Sequence, residues 1–347
     1  MILMKPSRRA AALLAAAGTL LAACAPAREA AADTGPLQVM AAIYPLQYVT
    51  AQVGGDHVAV RSVTPPGVDA HDLELSPYTV ARLDSADLVV YLSGFQAAVD
   101  DAVTQTRPTA LDVAGPAQLL TPGEEDAAHD GHGHAEADGA HDDHAEADGA
   151  PDDDAHADAQ PAPQDAAAHD AHGHDHGGVD PHFWLDPLRL ADVGVAVADE
   201  LARLDPAHAA DYQANAARFT AEQEALDAEF TAGLAHCASR TIVVSHQAFG
   251  YLAERYDLTQ VPVAGLDPES EPSPARVAQI AADIEAHGVR TIFAEPGFSA
   301  IATTLAEDLG VHVALLDPLD VQVNTDVDYR AAMHHNLETL QEALRCA

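Results

Sequence analysis

Apolar residues recur along this chain in two alternating rhythms. Short continuous apolar runs bounded by Gly, Pro or Asp read as buried strands: residues 37–44, 57–63, 87–92 and 109–113 in the first half, and 241–245, 289–294 and 311–316 in the second. Between them lie stretches with apolar positions three and four apart, which read as helices over 95–106, 188–204, 248–256, 299–309 and 327–344. Pro45, Ser76-Pro77 and Ser273-Pro274 mark further helix starts, because proline in the first turn lacks only an N–H that would go unpaired there anyway. Strands alternating with helices form βαβ units, so the fold class is α/β: two similar lobes with mostly parallel sheets. Asp205-Pro206 opens the longest helical pattern, which continues through Tyr212, Phe219, Leu226, Phe230 and Leu234. About thirty residues at about 1.5 Å each give a rod of about 45 Å. It reads as a rigid connecting helix over 205–236, between a first lobe at 37–204 and a second at 237–347.

Two segments lack this rhythm. Met1 to Arg9 is basic and is followed by an Ala/Leu run ending in Leu21-Ala22-Ala23-Cys24. A charged start, a short apolar core and small residues before the break predict an export signal over 1–23, with an Ala-rich linker over 24–36. The cysteine resembles that of a bacterial lipoprotein signal, which implies that Cys24 is lipidated and tethers the protein to the outer face of the cytoplasmic membrane. Residues 121–178 hold 10 of the 20 histidines and 17 acidic residues, with no Lys or Arg. Such a segment cannot bury enough apolar surface to fold, and its imidazoles interleaved with carboxylates suit loose metal capture.

With 347 residues the chain has length for two ordinary domains. Its formal charge of −39 speaks against nucleic acid as a partner and for cations. Removing the 17 acidic charges of the 121–178 segment still leaves −22, so the remainder is acidic too. Apart from Cys24 the cysteines are Cys237 and Cys346. An oxidising compartment favours a disulfide between them, two free thiols being the alternative.

Candidate ligands stand just beyond the strands. His71 lies in the loop Thr64-Pro65-Pro66-Gly67-Val68-Asp69-Ala70-His71-Asp72, at the carboxyl edge of a sheet, where open α/β folds bind ligands. His182 sits in Asp180-Pro181-His182-Phe183-Trp184-Leu185-Asp186-Pro187, a stretch stiffened by proline at both ends. His246 follows the strand 241–245, and Asp317 follows 311–316. Three imidazoles and one carboxylate, two from each lobe, would complete a tetrahedral shell in the cleft that suits Zn2+. A manganese site would carry more oxygen donors. Glu295, also just past a strand, competes with Asp317 for the fourth position or supports a ligand from behind. As an Asp-Pro pair, Asp317 could instead form a turn.

At this point the chain resembles the metal-specific solute-binding proteins of bacterial zinc and manganese ABC importers, the ZnuA-like group. The similarity rests on Ile43-Tyr44-Pro45-Leu46, Val53-Gly54-Gly55-Asp56, Pro66 to His71, Ala86-Asp87-Leu88-Val89-Val90, Asp180 to Pro187, Ser245-His246-Gln247-Ala248-Phe249-Gly250-Tyr251-Leu252, Phe293-Ala294-Glu295-Pro296-Gly297-Phe298-Ser299 and Leu316-Asp317-Pro318-Leu319. It implies two α/β lobes joined by a long rigid helix, a monomer that binds metal between them, and delivery of the ion to an ABC permease. It also implies that His71, His182 and His246 are ligands together with an acidic group. A His-rich loop before His182, and a histidine at 246, look like the zinc members. Position 289–293 lacks the cysteine that some zinc members have before the Glu-Pro motif, which leaves Cys237 as the candidate partner of Cys346.

Within that family a manganese-specific member is the alternative. Outside it, a zinc hydrolase would need an open position for water and a base-bearing motif such as H-E-x-x-H, which the sequence lacks. In an adhesin or metal buffer the 121–178 segment itself would do the work. Deleting residues 121–178 is expected to remove several weak metal sites and leave one tight site, counted by competition titration. Loss of the tight site with the segment would overturn the cleft reading.

Overall fold

The computed structural model describes residues 35–120, 179–268, 270–296 and 300–347. The export signal, Cys24, nearly all of the linker and the 121–178 segment lie outside these residues.

Each half holds one parallel four-stranded sheet. In the first, β1 (Leu37–Ala41), β2 (Val58–Ser62), β3 (Leu88–Tyr91) and β4 (Ala110–Asp112) lie in the order β2-β1-β3-β4. In the second, β5 (Thr241–Val244), β6 (Thr259–Pro262), β7 (Thr291–Ala294) and β8 (His312–Leu315) repeat the order as β6-β5-β7-β8. All pairs are parallel, with Val39 beside Val60 on one flank and Leu88 on the other, and Val244 beside Pro262 and Phe293. In both sheets the chain steps first to one side of the opening strand and then to the other. That reversal leaves a crevice at the carboxyl ends of the central strands.

Parallel pairs require crossovers, and the first lobe supplies them with α1 (Tyr44–Gly54), α2 (Pro77–Asp84) and α3 (Ala97–Thr106), followed by the short α4 (Ala114–Ala117) and α5 (Pro187–Leu204). Proline opens α1, α2 and α5, as the sequence predicts, and Ser76 and Asp186 accept hydrogen bonds from Thr79 N and Leu188 N at the starts of α2 and α5. The long helix α6 runs over Ala209–Gly233. Its start differs from the expected 205: a 3-10 turn occupies Pro206–His208, and the Asp205 carboxylate takes hydrogen bonds from His208 and the Tyr212 hydroxyl instead. Nor is α6 a bare rod. Its buried residues Tyr212, Ala216, Phe219, Gln223, Leu226 and Phe230 form a stripe at helical period that packs along α5 and α1. Gly194 permits this approach, since a Cβ there would stand 2.9 Å from the Phe219 ring.

The second lobe adds α7 (Gly250–Arg255), α8 (Pro274–His287), α9 (Ala300–Leu309) and α10 (Tyr329–Leu344). One apolar core runs through both lobes, from Val39 and Leu88 through Trp184 and Phe219 to Tyr251, Phe293 and Tyr329. A second, smaller cluster under α8 and α9 gathers Val243, Ile280, Ile284, Ile292 and Leu305. Tyr48 of α1 stacks on Tyr329 of α10 with ring centroids 5.2 Å apart.

Cys237 and Cys346 are joined in a disulfide that fastens the chain after α6 to the residues after α10. The bridge closes a separation of 109 residues. Replacing both cysteines by serine is expected to lower stability by about 2–5 kcal/mol, because a loop of that length gains much freedom when the unfolded chain is uncrosslinked. Denaturant unfolding under non-reducing conditions measures it.

Candidate metal centre

The stretch 180–187 is tied to the second lobe by hydrogen bonds. Trp184 is fully buried, and its indole N–H donates to the Pro318 carbonyl at 2.7 Å, while its own carbonyl accepts from the Tyr329 hydroxyl at 2.6 Å. Two buried hydrogen bonds from the second lobe therefore hold the segment that bears His182. The Asp180 carboxylate accepts from the His182 backbone N–H at 2.8 Å and is hydrogen-bonded to ring Nδ1 at 2.7 Å. A carboxylate only accepts, so Nδ1 carries the proton and Nε2 keeps its lone pair. That Nε2 is buried and has no hydrogen-bond partner.

His246 repeats the arrangement from the other side, two residues past β5. Its Nδ1 is hydrogen-bonded to Glu295 Oε1, which also accepts from the Ser245 hydroxyl. Its Nε2 is likewise buried without a partner. His71 is presented by a turn in which Asp69 accepts from its backbone N–H at 2.8 Å. Gln96 anchors that loop through the Ala70 carbonyl and the Thr64 hydroxyl, and Thr64 in turn bonds the Ala42 carbonyl just past β1. The three imidazole centroids lie 5.4, 5.8 and 5.3 Å apart.

The acidic member of the cluster is Asp320, not Asp317. His71, His182, His246 and Asp320, all buried, each offer a donor atom within 4.8 Å of the other three. Asp320 Oδ2 stands 3.6 Å from His71 Nε2. Asp317 lies outside that group: its carboxylate accepts from Leu319 N at 2.8 Å, and its backbone N–H and C=O are both bonded to the Asn336 amide. It is thus a turn former, and the turn aims the acid three residues later. Leu319 adopts φ +65°, a left-handed conformation that costs an L side chain energy, immediately before Asp320. Sequence spacing favours the first acid after a strand; the Asp-Pro turn chemistry at 317–318 was the signal pointing beyond it. Glu295 stands behind His246 and not among the four.

Charge is balanced within the cluster. Burial lowers the His182 pKa below the ordinary value despite the Asp180 carboxylate. Burial also pushes His246 down, but the Glu295 hydrogen bond and charge, with Asp320 and Asp180 farther off, outweigh it and leave its pKa raised. Asp320 is pushed up by burial, yet the His71 imidazole 3.6 Å away, with those of His182 and His246, holds it below the usual carboxylate value. Asp317 is raised to about 6, burial and the Asp320 and Glu295 charges outweighing the Leu319 hydrogen bond. A buried group with two unpartnered imidazole nitrogens and an acid held below its usual pKa can take up a cation, and its nitrogen-rich donor set favours a borderline-soft, four-coordinate metal.

Two α/β lobes thus bring a group of side chains that could hold a cation to the carboxyl edges of their sheets. The chain belongs to the ZnuA family, described as "Zinc-uptake complex component A periplasmic", whose profile matches residues 39–343. The zinc-binding protein AdcA of Streptococcus pyogenes serotype M3 is 30% identical over 316 residues, covering 88% of this chain and 56% of AdcA. This chain thus spans little more than half the length of that relative. The high-affinity zinc uptake system protein ZnuA of Bacillus subtilis is 28% identical over 344 residues, covering 96% of each. Among solved structures, the laminin-binding protein Lmb of Streptococcus agalactiae, described as bifunctional with adhesin and metal-transporting activity, superposes with a TM-score of 0.69 at 28% identity over 89% of this chain and 99% of that one. The Zn(II)-bound ZnuA-like domain of Streptococcus pneumoniae AdcA gives 0.66 at 25% identity, over 89% and 99%.

Proposed function

We propose that this chain is an extracytoplasmic zinc-binding protein that captures Zn2+ between its lobes and passes it to an ABC-type permease for uptake. The observation that carries this reading is the buried group of three imidazoles and one carboxylate within 4.8 Å of one another. In this reading His71, His182 and His246 coordinate through Nε2 at about 2.0–2.1 Å, and the Asp320 carboxylate is the fourth ligand. Asp180 and Glu295 orient two of the rings and raise their basicity, as carboxylates behind zinc-bound histidines do. The metal is cargo, so the protein's task is selective binding and release. A manganese site would favour more oxygen donors than one. A full shell of four protein ligands offers no position for an activated water, which weighs against a hydrolase. Membrane tethering through Cys24 is part of the proposal, and a relative named zinc-binding lipoprotein AdcA, from Streptococcus pneumoniae, supports it.

Competition titration of the full chain with zinc and manganese tests the assignment. Wild type is expected to show one tight site that prefers zinc. Four-ligand zinc sites in peptides are worth about 10–16 kcal/mol, so losing one ligand in Asp320→Asn should weaken binding by about 10²–10³-fold. Asp317→Asn should leave affinity within about threefold, the spread of substitutions remote from the bonding groups. The reverse ranking would restore Asp317 as the ligand.

Acid should release the metal, with a definite sign. A proton and the ion compete for each imidazole, and His246 has the raised pKa while His182 has the lowered one. Protonation of the free site therefore begins at His246, above the ordinary imidazole value of about 6.5. Below that pH apparent affinity should fall by about tenfold per unit for each proton displaced. An affinity that stays flat between pH 7.5 and 5.5, conditions of the assay chosen around about 6.5, would exclude a histidine shell.

A further inference from the structure

The hydroxyl of Tyr251 joins parts of the chain that are far apart in sequence. Tyr251 lies on α7 of the second lobe and is fully buried. Its oxygen accepts from the Leu120 N–H at 3.0 Å and donates to the Asp180 carbonyl at 2.8 Å. Arg189 lies over its ring at 5.0 Å and also bonds the carbonyls of Ala117 and Gln118. The neighbouring Gly250 leaves room for the same aspartate, since a Cβ there would stand 2.6 Å from Asp180 Oδ2. The backbone of Asp180 is therefore held from the second lobe, which also leaves the space its carboxylate occupies. Asp180 Oδ1 then holds the His182 ring at 2.7 Å.

We propose that Tyr251 is a positioning residue for the metal centre: its hydroxyl fixes Asp180 from across the lobe boundary, and Asp180 fixes the imidazole of His182. The inference rests on the reading of His182 as a zinc ligand. The ring alone would fill the apolar space that Tyr251 occupies; the hydroxyl is the part that reaches Asp180. A phenylalanine would keep the packing and leave the Asp180 carbonyl without this donor, so the carboxylate of the same residue would lose its fixed place. In consequence, docking of the lobes and aiming of a ligand are a single event.

Zinc competition titrations of the full-length wild type, Tyr251→Phe, Asp180→Asn and the double variant test this. Tyr251→Phe is expected to bind zinc about tenfold more weakly, the lower end of what loss of a group behind a metal ligand brings. Because the hydroxyl acts through Asp180, it should add nothing in the Asp180→Asn background, whereas a merely structural loss would be additive. Cobalt(II), used as a spectroscopic probe, should give a visible spectrum in Tyr251→Phe that differs from wild type. Wild-type affinity in Tyr251→Phe, or additive losses in the double variant, would overturn the proposal. If Tyr251→Phe fails to fold, Gly250→Ala decides: it displaces the Asp180 carboxylate with the hydroxyl in place, and unchanged zinc affinity would refute the positioning role. A wild type that binds no zinc tightly would refute the zinc reading itself, a separate result.

Discussion

Three imidazoles and a carboxylate are buried against one another, and much of the fold exists to make that tolerable. A buried polar atom left without a partner costs about 1–3 kcal/mol. Here two ring nitrogens stand in that condition, His182 Nε2 and His246 Nε2. Each of these rings is secured on its far side by a carboxylate, Asp180 or Glu295. The packing around Trp184 keeps the arrangement rigid: its edge meets the His182 ring at 5.3 Å, and its polar handle is spent on Pro318. Open nitrogens that a self-sufficient core would not tolerate are what a site for a desolvated cation requires.

Much of this could be read in the chain itself. The rhythm of buried strands and amphipathic helices gives the two α/β lobes, the positions just past strands direct attention to His71 and His246, and the proline-flanked stretch 180–187 to His182; the structure brings the three together. What escaped had physical reasons. The strand β6, Thr-Gln-Val-Pro, alternates too little and ends in proline, which a strand tolerates only at an edge. Asp320 follows a turn whose geometry depends on Asn336, a residue from α10 that proximity in sequence does not connect to it. The tie of 180–187 to the second lobe rests on bonds to Pro318 and Tyr329, more than 130 positions away. Long-range partners of this kind leave no local periodicity.

The two sheets have the same strand order, yet they contribute differently. From the first lobe comes a ligand loop past an edge strand, pinned by Gln96. From the second come a histidine directly past the central strand β5 and an acid past the edge strand β8. The similar topology places both sets at carboxyl edges, while different loop lengths let them converge. Equivalent frames thus produce an asymmetric shell, of which one member, His182, is built from both.

The shared core also bears on how an ion could leave. Parting the lobes as rigid bodies would expose the apolar contacts of Trp184, Tyr251, Phe293 and Tyr329, at about 25 cal/mol for each Å² uncovered. The loops that carry His71 and Asp320 also meet each other, where the Gly67 N–H donates to the Gln322 carbonyl at 3.1 Å. In the proposed zinc reading, a permease that docks over these two loops would meet the bond that joins them before it met the core.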